Sequence, residues 1–419
     1  MDGWTVQMGY PVVTVSKNES PENTVTISQE HFLYDTNAKI HHRQLFNQSL
    51  QWQIPLNLAL GNFSHTSSES LIWISNKTEM HRVGRIGEET WLLGNINQTG
   101  YFRVNYDLHN WRLLIQQLMI NPTIISVGNR AGLMDDAFSL ARAGYLPQNL
   151  PLQIICYLSK EDEFLPWHAA SRALYQLDKL LDRTEDYSLF SSYVLKQVEQ
   201  KYHKLDWPNV KVGDSFKQST YHTEPCHHVS EWISSNKNRI PPSIRDVVYC
   251  TGVSLMDEDV WDFMWMKFQS SSTISEKKVL LEALTCSDNT FLLHRLLNAS
   301  LNSDLVPDQD VIDVIVHVGR NPHARHLAWR YFREKWDELN SRFGEALFLN
   351  SKLISGVTEF LNTQRELDEL KDFLQTSAAG ASASASAFSR ALEVVRANVK
   401  WHQLYRERFF QWLRKSSDG

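Results

Sequence analysis

Apolar residues alternate with polar ones in short runs over the first hundred positions, and from His109 onward they recur every three or four positions almost to the end of the chain. The first period is that of a pleated strand, the second that of a helix. The change falls in Gly94-Asn-Ile-Asn-Gln-Thr-Gly-Tyr-Phe-Arg-Val-Asn-Tyr-Asp107, where a turn-rich Gly/Asn segment leads into a last strand. The pattern predicts strands over Val12–Lys17, Thr24–His31, Gln51–Leu60, Leu71–Ser75, Thr90–Leu93 and Tyr101–Tyr106, short runs rich in Val, Ile, Thr, Trp or Tyr. Turn-forming Asn, Ser, Pro, Gly and Asp separate them. Thr24-Val-Thr-Ile-Ser-Gln29 and Gln51-Trp-Gln-Ile-Pro-Leu56 alternate cleanly, as half-buried antiparallel strands do. About seven strands in about a hundred residues predict a small β-sandwich over residues 1–106.

In the helical part, Trp111, Leu114, Ile115 and Leu118 share one face, and Leu133, Ala137, Leu140 and Ala141 share another within Asn129–Gly144, which stops at a glycine. Helices follow at 151–159, 167–183, 188–204, 241–255, 257–269, 275–285, 288–299, 308–319, 322–339, 344–356, 364–374 and 387–414. Pro151, Pro241 and Pro242 stand at helix starts, where a missing N–H costs nothing. Asp257-Glu-Asp before Trp261 suits a first turn. So many helices joined by short loops, without a clear repeat, predict an irregular α-solenoid over 107–419. The fold class is therefore mainly α behind an N-terminal all-β domain. Residues 206–228 are polar and uneven and disrupt the solenoid pattern, and the low-complexity stretch Thr376–Ala387 reads as a flexible loop before the last helix, with alanines that could instead extend that helix.

A length of 419 residues suits two or three domains. A net charge of -6 argues against a nucleic-acid partner, which calls for a basic face. No stretch approaches the ~20 apolar residues that span a bilayer, so no membrane segment is expected in the chain. Met1-Asp-Gly-Trp-Thr5 has neither the basic nor the apolar region of a signal peptide. Yet Asn-x-Ser/Thr acceptors stand at Asn18, Asn47, Asn62, Asn76 and Asn97, with another at Asn298, as in an extracellular glycoprotein. Sugar acceptors without a secretory signal lead us to expect that more sequence precedes Met1. Four cysteines, Cys156, Cys226, Cys250 and Cys286, suffice for one or two bridges, and the sequence leaves three full pairings open.

The search for chemistry gives informative negatives. A zinc-peptidase helix needs two histidines at i and i+4 with a glutamate beside the first, and none of the 16 histidines is followed by Glu. His222-Thr-Glu-Pro-Cys-His-His228 lacks the paired half that a structural zinc site needs and reads as surface loop. His317, His323 and His326 read as solvated helix residues, and His41-His42-Arg43 as a polar loop. No Gly-x-Ser-x-Gly elbow, phosphate loop or Gly-x-Gly-x-x-Gly occurs. Asp135-Asp136 resembles a carboxylate pair, but adjacent helix positions point about 100° apart, so one should face solvent and the other pair with Arg130 or a neighbour. Trp261, Trp265 and Phe268 at helical spacing read as core. No catalytic, cofactor-binding or metal-ligating residue is assigned.

Three segments nonetheless carry a resemblance. Trp4-Thr-Val-Gln-Met-Gly-Tyr-Pro-Val12 resembles the opening of the β-sandwich in aminopeptidase N-like zinc aminopeptidases, Trp91–Tyr106 its last strands, and Asn129–Leu146 an early helix of the family's C-terminal helical domain. Phe164-Leu-Pro-Trp-His-Ala-Ala-Ser-Arg-Ala-Leu174 and Gly356-Val-Thr-Glu-Phe-Leu-Asn-Thr363 bring the match closest to members that remove an N-terminal pyroglutamyl residue from peptide hormones. The resemblance implies the last two domains of that architecture, with the Gly-Ala-Met-Glu-Asn and H-E-x-x-H motifs and all zinc ligands upstream of Met1. Zinc would then belong to the full-length enzyme and not to this chain, which should be inactive alone. It further implies the extracellular side of the plasma membrane, a role in capping the catalytic cleft, possible contact with the peptide, and dimerisation with itself or with full-length enzyme. It implies a Cys250–Cys286 disulfide, whose loop of about 36 residues would contribute ~3–4 kcal/mol by chain entropy. Cys226 matches one member of a second pair, but its partner, with about a helix of sequence, is missing between Tyr221 and Cys226, leaving a thiol open to intermolecular pairing.

Overall fold

A computed structural model describes residues 2–5, 7, 9–18, 23–35, 50–63, 66–204, 225–344, 346–377 and 384–417. Seven strands form two sheets: β1 (Pro11–Lys17), β2 (Thr24–His31), β3 (Ile54–Gly61), β4 (Thr66–Ile74), β5 (Thr78–Arg82), β6 (Trp91–Gly94) and β7 (Arg103–Tyr106). One sheet runs β5-β2-β1-β7 and the other β4-β3-β6. All pairings are antiparallel except β1 with β7, which are parallel with Val12 opposite Arg103. Alternation does the sorting: Val13, Val15, Val25, Ile27 and Val104 of one sheet and Ile54, Leu56, Leu58 and Ile74 of the other are buried. The Gln29 side chain ties β2 to the segment leading into β3, donating to the Trp52 carbonyl and accepting the Trp52 N–H, both at 2.8 Å. This is the β-sandwich that the sequence predicts, with β5 added.

The described chain divides into two compact units. The first holds Met1–Leu177, Ser188–Lys204 and Tyr405–Gly419. Besides the sandwich it contains α1 (Leu108–Ile120), α2 (Val127–Arg142), α3 (Leu150–Ile155), and parts of α4 (Phe164–Leu181) and α5 (Tyr187–Lys204). Strand gives way to helix at Asp107, but the compact unit continues past that point because the first helices are bonded to the sheets. Phe190 and Tyr193 of α5 pack on Phe409 and Trp412 of the last helix.

The second unit holds Asp178–Tyr187 and Leu205–Leu404. Its helices are α6 (Pro225–Ser235), α7 (Arg245–Leu255), α8 (Glu258–Ser270), α9 (Ile274–Leu284), α10 (Thr290–Ser300), α11 (Asp308–Arg320), α12 (Arg325–Glu334), α13 (Trp336–Phe343), α14 (Leu347–Thr358), α15 (Gln364–Thr376) and most of α16 (Ala385–Ser417). Packing of α7 on α9, α9 on α11 and α11 on α14, besides sequential neighbours, is the ladder of an irregular solenoid. Trp329, Phe332, Trp336, Phe373 and Phe388 form an aromatic knot in its core. Arg325 and Asp182 form a buried ion pair at 2.6 Å.

Several elements depart from the pattern. Residues 225–228, read as the end of an uneven loop, begin α6; residues 205–224 lie outside the described part. The single helix expected at 322–339 is two, because Lys335 leaves helical geometry at φ −101°, ψ 10°. The helix expected at 151–159 continues beyond Ile155 only as a 3-10 segment, Cys156–Lys160. The last helix starts at Ala385, so at its end the alanine-serine stretch extends that helix, the alternative to a loop, while residues 378–383 lie outside the described part.

Candidate functional site

The residues around Gly94–Asp107 form a continuous hydrogen-bonded junction between sandwich and helices. Asn95 takes a left-handed conformation at φ 53° and bridges its own turn, its side chain accepting from Gly100 N–H and donating to Gly100 carbonyl. Asparagine tolerates this region where β-branched residues do not. From the second helix, Asn129 donates to the Asn95 carbonyl at 3.1 Å and accepts the Asn97 N–H at 2.8 Å. From the first helix, Asn110 satisfies both backbone groups of Leu92, acting as an extra strand residue on β6. Asp107 caps that helix by accepting the Asn110 N–H at 2.8 Å. The indoles of Trp91 and Trp111 donate to Gln117 and Asn105, so the two largest buried rings here carry no unmet polar group. Sequence reading located this turn; the asparagines that fasten it carried no periodic signal.

The aspartate pair sits against the same junction. Asp135 and Asp136 both accept from Arg103 Nη1, at 2.6 and 2.9 Å, and Asp136 also accepts the Val104 N–H at 3.0 Å. The Arg103 guanidinium lies over the rings of Tyr10 and Phe32. Burial pushes the Asp136 carboxyl up to about 7, against the pull of Arg103 and the Val104 N–H, and Asp135 pushes it the same way. Burial pulls on Arg103 in the opposite sense, but the two carboxylates outweigh it and hold the guanidinium charged. Asp135 faces solvent and Asp136 does not, as helical geometry requires. The partner is Arg103, however, and not Arg130, which instead forms two hydrogen bonds with buried Glu161 at 2.7 and 3.0 Å. Arg130 lies about 120° round the helix from Asp136, and its guanidinium also serves the carbonyls of Pro122 and Ile125. With both carboxylates tied to one cation, the pair is a fastening between β7 and α2.

Elsewhere the candidate residues scatter. Cys250 in α7 and Cys286 after α9 are disulfide-bonded, while Cys156 and Cys226 are free thiols. His317 pairs with Glu282 at 3.4 Å. Trp261 and Phe268 are core residues, as their spacing predicts. Of the sugar acceptors, Asn76, Asn97 and Asn298 are exposed; Asn18 holds Thr24 and Thr26 through its side chain, Asn62 is half-buried, and Asn47 and His41-His42-Arg43 lie outside the described residues. Asn298 sits inside α10, beside His294. Two features escaped the sequence reading. One is an apolar cleft of about 400 Å³ between α14 and α16, edged by Phe348, Lys352, Glu359, Arg390 and Val394, with Phe348 82% exposed. The other is a cluster of His227, His228 and Glu231, the sole such group of three metal-ligating side chains among the described residues.

With this geometry in place, the class of protein is clear. Residues 91–399 match the family described as the ERAP1-like C-terminal domain, and the chain belongs to that family. The thyrotropin-releasing hormone-degrading ectoenzyme of Rattus norvegicus is 61% identical to it and that of Homo sapiens 60%, each over 437 residues covering 99% of this chain and 41% of the relative. Aminopeptidase Ey of Gallus gallus is 33% identical over 99% of this chain and 44% of that protein. The chain thus spans about two fifths of the length of these relatives. The 437-residue alignments exceed the 419 residues of the chain, so the relatives carry residues without a counterpart here. Among the described residues no helix is long and apolar enough to cross a membrane. The zinc of the aminopeptidases needs H-E-x-x-H, and the histidines present do not fit it, since none precedes a glutamate.

Proposed function

We propose that this chain serves as the C-terminal, non-catalytic part of a zinc ectopeptidase that removes N-terminal pyroglutamyl residues from peptide hormones. The observation that supports it is 61% identity to a hormone-degrading ectoenzyme across 99% of a chain without a zinc-peptidase motif. In this reading the sandwich and helices cap the catalytic cleft of the full-length enzyme at the extracellular side of the plasma membrane. The chain dimerises with itself or with that enzyme, and exposed Asn76 and Asn97 carry sugars. Zinc belongs to the full-length enzyme's own catalytic motif.

The test is direct. The 419-residue chain, purified from a secreting host, should not turn over a pyroglutamyl peptide; chelator-sensitive turnover would overturn the proposal. Co-expressed with the full-length relative, it should co-purify and alter activity, and unchanged activity without co-purification would remove the dimer. A second proposal is that the coding sequence supplies an in-frame H-E-x-x-H helix upstream, which makes the chain a fragment of an active aminopeptidase; sequencing the transcript decides between them. The cleft beside exposed Phe348 supports a third, a peptide-binding module without catalysis. It requires saturable binding of an uncleaved peptide that Phe348→Ala abolishes.

A further inference from the structure

Pro225-Cys-His-His-Val-Ser-Glu231 opens α6, and the helix sorts these residues onto two faces. Val229 and Trp232 are buried, Val229 close against Gly252 of α7 and Trp232 stacked on Tyr249 at 5.0 Å. This anchoring fixes the rotation of the helix. At about 100° per residue, Glu231 falls between His227 and His228 in projection, one turn below them. The two imidazoles and the carboxylate are therefore neighbours on one outward stripe, with ligand atoms all within 4.8 Å of one another. The rings stand at 80° to each other with centroids 6.1 Å apart, edge to face rather than stacked. Outside them, Arg239 Nη1 donates to Glu231 Oε1 at 2.9 Å and holds the carboxylate in place.

We propose that His227, His228 and Glu231 bind a divalent transition-metal ion of the zinc class. Two imidazole nitrogens and one carboxylate oxygen form a donor set that zinc accepts, leaving the fourth tetrahedral position to water. Ligands on one tetrahedral zinc lie about 3.4 Å apart at bond lengths of roughly 2.1 Å. That spacing falls within the 4.8 Å that bounds the separations of these three ligand atoms. Arg239 occupies the outer-shell place that in metal sites orients a carboxylate ligand. The assignment departs from the sequence reading of His222–His228 as loop, which had no helix to bring Glu231 alongside the histidines. With the histidines adjacent rather than four apart, and no second carboxylate in the group among the described residues, the site captures metal and performs no turnover. It is independent of the proposed peptidase role.

The test uses the whole 419-residue chain without a polyhistidine tag, stripped with chelator and titrated with Zn²⁺ against a chromophoric competitor. One equivalent should bind. His227→Asn and His228→Asn should each weaken binding by at least the roughly 10–100-fold that loss of an outer-shell partner costs, and Arg239→Ala by a smaller factor. Cu²⁺ substituted for zinc should show nitrogen coupling from two imidazoles by electron paramagnetic resonance. Cys226→Ser should bind zinc as the parent does. The proposal is overturned by the absence of saturable zinc, by undiminished binding in the double variant H227N/H228N with its helical signal intact, or by loss of binding in Cys226→Ser.

Discussion

Asp136 and Glu366 are carboxylates with little exposed side chain that each face an arginine, one in each compact unit, and burial and pairing shift them in opposite directions. Their side chains are about equally exposed to solvent, at 11% and 12%, although Asp136 lies deeper beneath the surrounding protein. Asp136 takes one N–H from Arg103 and one from Val104, shares that arginine with Asp135, and is pushed up to about 7 by burial. Burial pushes Glu366 the same way, but Arg183 donates twice, at 2.7 and 3.1 Å. The backbone N–H groups of Asn362 and Thr363 and the Thr363 hydroxyl add three more donors, holding it down to about 2. Depth and the number of donors per carboxylate together decide which effect wins. The comparison also separates two uses of charge: a shared, under-supplied carboxylate at the strand-to-helix junction, and a saturated capping box that starts α15.

The sharpest way to break this comparison is Arg103→Met, which leaves Asp136 buried and without its cation. At pH well above 7, where the carboxylate is charged, it should cost about 3–5 kcal/mol in the first unit, read by hydrogen exchange of the β7 amides, and the loss should shrink at acid pH as Asp136 takes a proton; a loss independent of pH would refute the burial-dominated account. Arg183→Met should cost less, about 1.5–3 kcal/mol, because three other donors still hold Glu366. Next come the pH profiles. The depressed Glu366 contributes stability above its unfolded value of about 4.3, lost as pH falls toward about 2. Glu366→Gln should therefore flatten the acid limb of a urea-midpoint profile over that window. The raised Asp136 acts in the opposite sense, its contribution full below about 3.9 and lost as pH rises to about 7, and Asp136→Asn should remove that slope. Asp135→Asn is the smallest effect, under about 1 kcal/mol, yet it should lower the midpoint of the Asp136 titration, observed by carboxyl NMR. An unmoved midpoint would mean that the exposed aspartate does not act on its neighbour.

Periodicity made most of the fold legible, since most helices begin and end within two or three residues of their expected positions. It missed β5, Thr78-Glu-Met-His-Arg82, because this edge strand alternates in burial but carries polar Glu79 and His81 at its two half-buried positions, so no apolar alternation shows. It merged α12 and α13 because Trp329, Phe332 and Trp336 keep helical spacing across Lys335, so the break lies in the backbone and not in the pattern. The candidate sites were less legible for a related reason. Asp135-Asp136 was visible, but its partner Arg103 lies in a strand 32 residues away, a pairing that depends on how α2 meets β7. Glu231 was invisible as a companion of His227 until the residues between them were known to be helical.

The parallel pairing of β1 with β7 bears on how the chain comes into being. Val12 and its partner Arg103 are 91 positions apart. On a ribosome adding roughly 5–20 residues per second, β1 waits about 5–18 s for the strand that covers its outer edge. Until then that edge, with Val12, Val13 and Val15 along it, presents unpaired backbone to any other extended segment nearby. The sandwich is therefore completed late, and the crowding of nascent chains during those seconds should set the yield of folded protein.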